Sequence, residues 1–220
     1  MAEQSLTAPG APVTSLAAGA RLGGLHAVYQ PKQRPLRSRW NDWRLYLFDE
    51  GLIVTGSGGF QMAFAWHSAT VFQHLRAAAC TLVGPARQAV TIGRGTTGPL
   101  RLKVGGERIR SVVRGAPFLY EGDWGPAIQA GVVRRQLPAA LDRLHRGEPL
   151  DFGRLAITGD GVTVRNRSLP WAEVADIHVG NGSLWISDRR RRPLPGLPAG
   201  EIANLTLALT LCERLRVRQV

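Results

Sequence analysis

The sequence predicts an α+β fold, mainly β, made of two small and strongly bent antiparallel sheets in tandem, each closed by a C-terminal helix. Three observations carry this expectation. One short pattern occurs twice, about a hundred residues apart. Each copy is followed by more apolar runs of strand length, bounded by Gly or Pro. Each half then ends in a longer run whose apolar residues recur at helical spacing.

In the first copy, Arg44-Leu45-Tyr46-Leu47-Phe48-Asp49-Glu50-Gly51-Leu52-Ile53-Val54 leads to Ala65-Trp66. In the second, Arg154-Leu155-Ala156-Ile157-Thr158-Gly159-Asp160-Gly161-Val162-Thr163-Val164 leads to Pro170-Trp171. Each reads as an apolar strand, an acidic residue and Gly at a turn, a second apolar strand, and a Trp opening a third. Such self-similarity implies two units of one kind. A chain of 220 residues has room for two units of about 100, each able to bury a core.

Residues 1–21 are mostly Ala, Gly, Pro, Ser and Thr without aromatics, which predicts a disordered tail. Residues 25–40 carry Lys32, Arg34, Arg37 and Arg39 around Pro31 and Pro35 and read as an extended basic lead-in. In the first unit, residues 22–148, a strand over 64–72 follows the hairpin. Further strands are expected over 81–83, 89–92 and 100–104, with one more in 109–119. Asp123 is placed to cap a helix with Pro126 in its first turn, and Trp124, Ile128 and Val132 share a face. Leu137, Leu141 and Leu144 continue the stripe, Pro138 predicts a kink or a break, and Gly147 with Pro149 ends the helix.

The second unit, residues 149–220, starts with strands over 155–158 and 162–164, and a third strand is expected over 171–179. Asn181-Gly182 between apolar runs is a strong hairpin signal. After a loop over 188–199, a helix over about 200–216 sets Ile202, Leu205, Leu209, Cys212 and Leu215 on one face. Arg214 and Arg216 suit the negative end of its dipole.

An apolar helical stripe can cover the open end of a small bent sheet. In this arrangement the chain resembles two tandem pleckstrin-homology-like (PH-like) antiparallel β-rolls of the bacterial kind. Arg146-Gly147-Glu148-Pro149-Leu150-Asp151-Phe152-Gly153, Leu169-Pro170-Trp171-Ala172-Glu173-Val174, Gly180-Asn181-Gly182 and Glu201-Ile202-Ala203-Asn204-Leu205 carry the likeness. They resemble an uncharacterised family of such proteins from high-GC bacteria. The resemblance spans roughly residues 22–217 and is better in the second half. The chain departs from it between Gly105 and Pro117, a Gly- and Arg-rich stretch. The resemblance brings no catalytic residue with it.

The net charge of +12 would suit a polyanion partner. Only Lys32 and Lys103 are lysines, however, and with abundant Ala, Gly and Pro the arginine content is what a GC-rich genome produces without selection for binding. Nucleic acid is therefore expected to bind only non-specifically. No apolar run approaches the roughly 18 residues of a membrane span, and the N-terminus has no basic segment followed by an apolar core. The expectation is a cytoplasmic chain without a transmembrane segment, with a membrane-peripheral placement as the alternative. Cys80 and Cys212 stand apart without a CxxC and read as buried free thiols.

Gly93-Arg94-Gly95-Thr96-Thr97-Gly98 matches GxGxxG, but a dinucleotide site needs a helix next, and Pro99 with the alternating Leu100-Arg101-Leu102-Lys103-Val104 reads as a strand. His26, His67, His74, His145 and His178 show no paired ligand spacing, and His67 and His74 would lie on opposite faces of one strand. No Ser sits in a GxSxG elbow. Trp66, Trp124, Trp171 and Trp185 read as core, while Trp40 and Trp43 beside the basic lead-in are core or interface anchors.

Arg189, Arg190, Arg191 and Arg192, followed by Pro193-Leu194-Pro195-Gly196-Leu197-Pro198, are the sharpest surface feature and the candidate anion- or partner-binding residues. A solvated loop is the plain reading of the same run. No enzyme, cofactor or metal is implied. The expected function is a non-catalytic interaction module that binds a protein or peptide through a sheet edge or a helix groove. The alternatives are a peripheral binder of anionic membrane, using the arginine run with the lead-in, or a weak nucleic-acid binder.

Overall fold

A computed structural model describes residues 9–31, 39–94, 102–109 and 111–217. The helix α1 (Ala11–Gly19) opens it, with Pro12 in its first turn. Val13 and Ala17 of α1 bury against Leu22, Phe48 and Ile53. Of the disordered tail expected over residues 1–21, residues 11–19 are thus helical, and residues 1–8 lie outside the described residues. Apolar residues four apart on one turn-rich segment are enough to seat a helix when a sheet face awaits them.

The first sheet is antiparallel in the order β1-β2-β3-β4, formed by Leu25–Tyr29, Arg44–Phe48, Gly51–Thr55 and Gln61–Ala65. β1 occupies the start of what reads in sequence as a basic lead-in; residues 32–38 of that lead-in lie outside the described residues. The second sheet contains β5 (Thr70–His74), β6 (Ala79–Val83) and β7 (Ala89–Gly93). The expected strand over 64–72 is thus two strands, parted by a turn from Trp66 to Ala69 that carries the chain from one sheet to the next. β8 (Lys103–Val104) and β9 (Glu107–Arg108) make a short hairpin. β10 (Val113–Arg114) returns to run parallel beside β7. The helix α2 (Glu121–His145) follows.

Among the described residues, the second half has a four-stranded sheet, a three-stranded sheet and a helix in that order, without a counterpart of the β8–β9 hairpin or of the parallel β10. β11 (Leu150–Asp151), β12 (Leu155–Ile157), β13 (Gly161–Val164) and β14 (Arg167–Pro170) form a four-stranded antiparallel sheet. β15 (Val174–Gly180), β16 (Ser183–Asp188) and β17 (Leu197–Pro198) form a three-stranded one, and α3 (Leu205–Val217) ends the chain's described part. Asn181 and Gly182 both take positive φ in the β15–β16 turn, as the Asn-Gly signal demands. Among the described residues the fold is mainly β with three α-helices, and no sheet closes on itself.

The repeated motif is explained by two backbone approaches. Gly51 and Gly161 lie opposite Ala65 and Pro170 in the next strand. A Cβ on Gly161 would sit 2.5 Å from the Leu169 carbonyl oxygen, and one on Gly51 would collide in the same way with the Phe64 carbonyl oxygen. The acidic residue before each glycine accepts a backbone bond from the Trp that ends the third strand: Trp66 N to Glu50 O, 2.8 Å, and Trp171 N to Asp160 O, 3.0 Å. Each Trp therefore follows the third strand instead of opening it. Buried almost completely, both sit at the corner between two sheets.

α2 serves both halves. Trp124, Ile128 and Val132 belong to the first core, whereas Ala140 and Leu144 belong to the second, joined by half-buried Val133, Leu137 and Leu141. The helix runs through Pro138 without a break. Proline forfeits one backbone bond there, but the turns on either side are each held by packing. Its N-cap is Tyr120, at φ 58°, and Asp123 lies inside the first turn, where its charge still favours the dipole.

Candidate functional site

The four arginines of the sequence motif do not act as one grip. They fold into a turn around Asp188, whose carboxylate accepts the amides of Arg190 (2.9 Å) and Arg192 (2.8 Å) and the Arg192 Nε (2.9 Å). Those bonds, that of the Arg192 amide first, hold the Asp188 carboxyl below its ordinary range. Arg191 takes φ 59° and donates its amide to the Asp188 carbonyl. Arg189 donates its amide to Glu173 O at 3.0 Å. Its side chain lines a depression instead, together with Arg216 of α3. Arg190 and Arg191 remain exposed and make no ion pair among the described residues.

That depression has a volume of about 500 Å³ and lies where the start of β15 meets the end of α3. Trp171, Ala172, Val174 and Ala175 form its apolar side, with Val217 opposite. Arg216 Nη1 donates to the Ala175 carbonyl at 3.2 Å, so this carbonyl points away from β16 and toward α3. Gly180 and Ser183 flank the two-residue turn as a bonded pair, and bonding alternates along an antiparallel strand. Asp176 and His178 therefore bond β16, while Ile177 and Val179 direct their amides and carbonyls outward. Among the described residues, no backbone group pairs with those outward groups.

The corresponding strand and helix of the first half, β5 and α2, have the same edge filled. Residues 199–204 of the second half lie along it. The Asn204 amide donates to Val71 O at 2.8 Å, and the Val71 amide donates to Asn204 Oδ1 at 2.7 Å. Asn204 Nδ2 donates to Gln136 Oε1 of α2 at 2.9 Å, and Gln136 Nε2 donates to the carbonyls of Trp66 (2.6 Å) and Ala69 (2.8 Å). Gln73 Nε2 donates to Thr206 Oγ1 at 2.8 Å, and Gly200 packs on His74. Nothing in sequence distinguishes Asn204 from a sequon or a turn residue; its role depends on a strand more than a hundred residues away.

His74 is half-buried at this contact, and desolvation pushes its pKa down to about 4. Its Nε2 shares a hydrogen bond with Thr81 Oγ1 (2.8 Å), which meets Thr91 Oγ1 (2.7 Å) in the interior. His67, by contrast, sits in the turn after β4, so the two histidines are not opposite faces of one strand. His67 lines a cavity of about 360 Å³ between the halves, with Lys103, Arg135, Arg143 and Asp151. Arg135 is paired with Glu50 and Arg143 with Glu148, so most of that charge is already matched. Burial pushes the Cys80 and Cys212 thiols up to about 12, and both are free. Among the described residues, no three His, Cys, Asp or Glu are grouped to hold a metal ion.

Of the tryptophans, Trp124 is core, but Trp185 is 38% exposed and lies over Gly196, which corrects its reading as core. It stands on the outward face of β16, opposite His178, where period-two alternation places it. Trp43 is buried between Phe60 and Trp40, and the Arg39 guanidinium lies 4.4 Å from the Trp40 ring centroid. Residues 95–98 of the GxGxxG match lie outside the described residues. No helix among the described residues is long and apolar enough to cross a membrane.

A protein-family model, the family of unknown function DUF6585, matches residues 32–219. No curated protein and no solved structure matches the chain.

Proposed function

Since the chain belongs to DUF6585, a family of unknown function, we propose from its own geometry that it is a non-catalytic interaction module of two PH-like rolls in tandem. The first roll holds the second in place, and the second binds a protein or peptide partner. The observation that carries this reading is one edge used twice. Along β5 it receives residues 199–204 of the same chain, whereas along β15 the outward backbone groups of Ile177 and Val179 have no counterpart among the described residues. Strand edges with unmet amides and carbonyls are natural templates for another segment. The buried, unpaired thiols of Cys80 and Cys212 suit a reducing compartment such as the cytoplasm.

Selection of random twelve-residue peptides displayed on phage, against the full chain, tests the proposal. Recovered peptides are then titrated by fluorescence anisotropy against wild type and Ala175→Pro. Ala175 is exposed and occupies the bulge between Val174 and Asp176, and Val174 (φ −72°, ψ 116°) is already extended as a residue before proline must be. The variant thus puts a proline ring on this edge, at the bulge, without replacing a core side chain. A loss of tenfold or more in affinity, at an unchanged melting temperature, is expected. Recovery of no peptide, or of peptides indifferent to Ala175→Pro, overturns the proposal. Binding to phosphatidylserine vesicles in place of any peptide would favour the membrane reading.

A further inference from the structure

We propose that the partner segment is an acidic peptide, laid along β15 as an added strand with a carboxylate held between Arg189 and Arg216; this rests on the groove reading above. The occupant of the first half supplies the geometry. Residues 199–204 meet β5 through a backbone amide on Val71 O and a side-chain oxygen on the Val71 amide, the reciprocal pair that a β partner makes. On β15 the equivalent reciprocal bonds are available at Ile177 and Val179.

Charge chooses the chemistry of the occupant. Arg189 and Arg216 line the depression, and Arg190 and Arg191, next to Arg189 in the chain, are exposed. The acidic groups nearby are fewer and partly engaged. Among the described residues no acidic one lines the depression itself, Asp188 is committed to the turn, and Asp176 pairs with His178 at 2.6 Å. Arg216 now spends one N–H on the Ala175 carbonyl. An arriving strand would take that carbonyl and release the guanidinium to pair with a carboxylate, for which its planar fork is suited. The same geometry disfavours a membrane surface. Arg192 is tied to Asp188 and Arg189 turns into the depression, so the run does not present four guanidinium groups on one plane.

The test uses the peptides recovered above, measured in 50 mM and 300 mM NaCl. Binders are expected to carry two or more Asp or Glu, and resynthesis with Glu→Gln and Asp→Asn should weaken them tenfold or more. Arg189→Ala with Arg216→Ala should cause a similar loss, and the two changes combined should give little beyond either alone. Arg190→Ala with Arg191→Ala should alter affinity less than threefold. Binders that respond to Ala175→Pro but are neutral or basic would leave the groove reading standing and overturn the acidic assignment. Peptides that depend on Arg190 and Arg191 as much as on Arg189 and Arg216, and ignore Ala175→Pro, would reduce the effect to charge attraction and overturn both. Phosphatidylserine vesicles whose binding survives Arg189→Ala with Arg216→Ala would overturn it in favour of a lipid surface.

Discussion

β5 and β15 each lie at the edge of a sheet, and among the described residues one edge is covered while the outward groups of the other meet no backbone partner. Along β5, Asn204 and its neighbours satisfy the Val71 amide and carbonyl, and Gln136 of α2 closes the back of the contact. Along β15, among the described residues, Arg216 donates to the Ala175 carbonyl and no backbone group pairs with the outward groups of Ile177 and Val179. The sealed edge gains from covalent connection, because the segment that fills it is always present at high effective concentration. An edge of the same kind, left open in a folded chain, is a liability unless something covers it. On the proposed reading the two edges divide labour: one holds the molecule together, and the other is left for a partner.

The comparison presumes that the halves are built alike, and the strongest way to break it is at the shared glycines. Gly51→Ala and Gly161→Ala would each drive a Cβ into a carbonyl oxygen of the neighbouring strand, a backbone atom with little room to yield. Each should cost about 3 kcal/mol or more, the upper range for overpacking. Urea denaturation of the two variants should show losses that agree within about 1 kcal/mol. A large loss at one position and none at the other would mean that the repeated motif folds differently in the two copies.

Asn204 sharpens the contrast between the filled and open edges. Asn204→Gly preserves its positive φ of 47° while removing the side chain, which leaves the Val71 amide and Gln136 Oε1 without partners. A loss of about 2 kcal/mol is expected, in line with orphaning a buried donor. Asn204→Ala should cost about 1 kcal/mol more, because a Cβ is disfavoured in the left-handed region. Hydrogen exchange at Val71 should accelerate in both variants, while exchange in β16 stays as in wild type. Equal acceleration throughout would show that the edge contact is no separate unit of stability.

Much of the scaffold was legible because it rests on local patterns. The alternation of Leu45, Leu47, Leu52 and Val54, the Asn181-Gly182 turn and the stripe of Trp124, Ile128 and Val132 each report their own structure. What escaped depends on distant contacts. α1 forms because Val13 and Ala17 find a sheet face supplied by Phe48 and Ile53, and α2 survives Pro138 because two cores hold it. At the candidate site, the arginine run was visible but its division was not. Asp188, one residue before the run, is what withdraws Arg192, and Arg216 joins Arg189 only through the return of α3. An acidic residue flanking a basic run was the available signal for the first; spacing offered none for the second.

The smallest effect distinguishes the sealed edge by its response to acid. His74 packs against Gly200 of the docked segment, and its folded pKa of about 4 lies below the ordinary value of 6.5. The unfolded chain therefore binds the additional proton between those values, and stability contributed by the neutral ring is complete above about pH 6.5 and lost as pH falls toward 4. Because the ring keeps some contact with water, the loss is on the order of 1 kcal/mol. The carboxyl groups of Asp49, Glu50, Glu148 and Asp188 are all held below their ordinary range by hydrogen bonds, so their contributions fade only at more acidic pH. Thermal melts between pH 7 and 5 should thus slope downward in wild type and flatten in His74→Gln. A slope that persists in the variant would move the acid response away from the β5 edge and remove this difference between the two grooves.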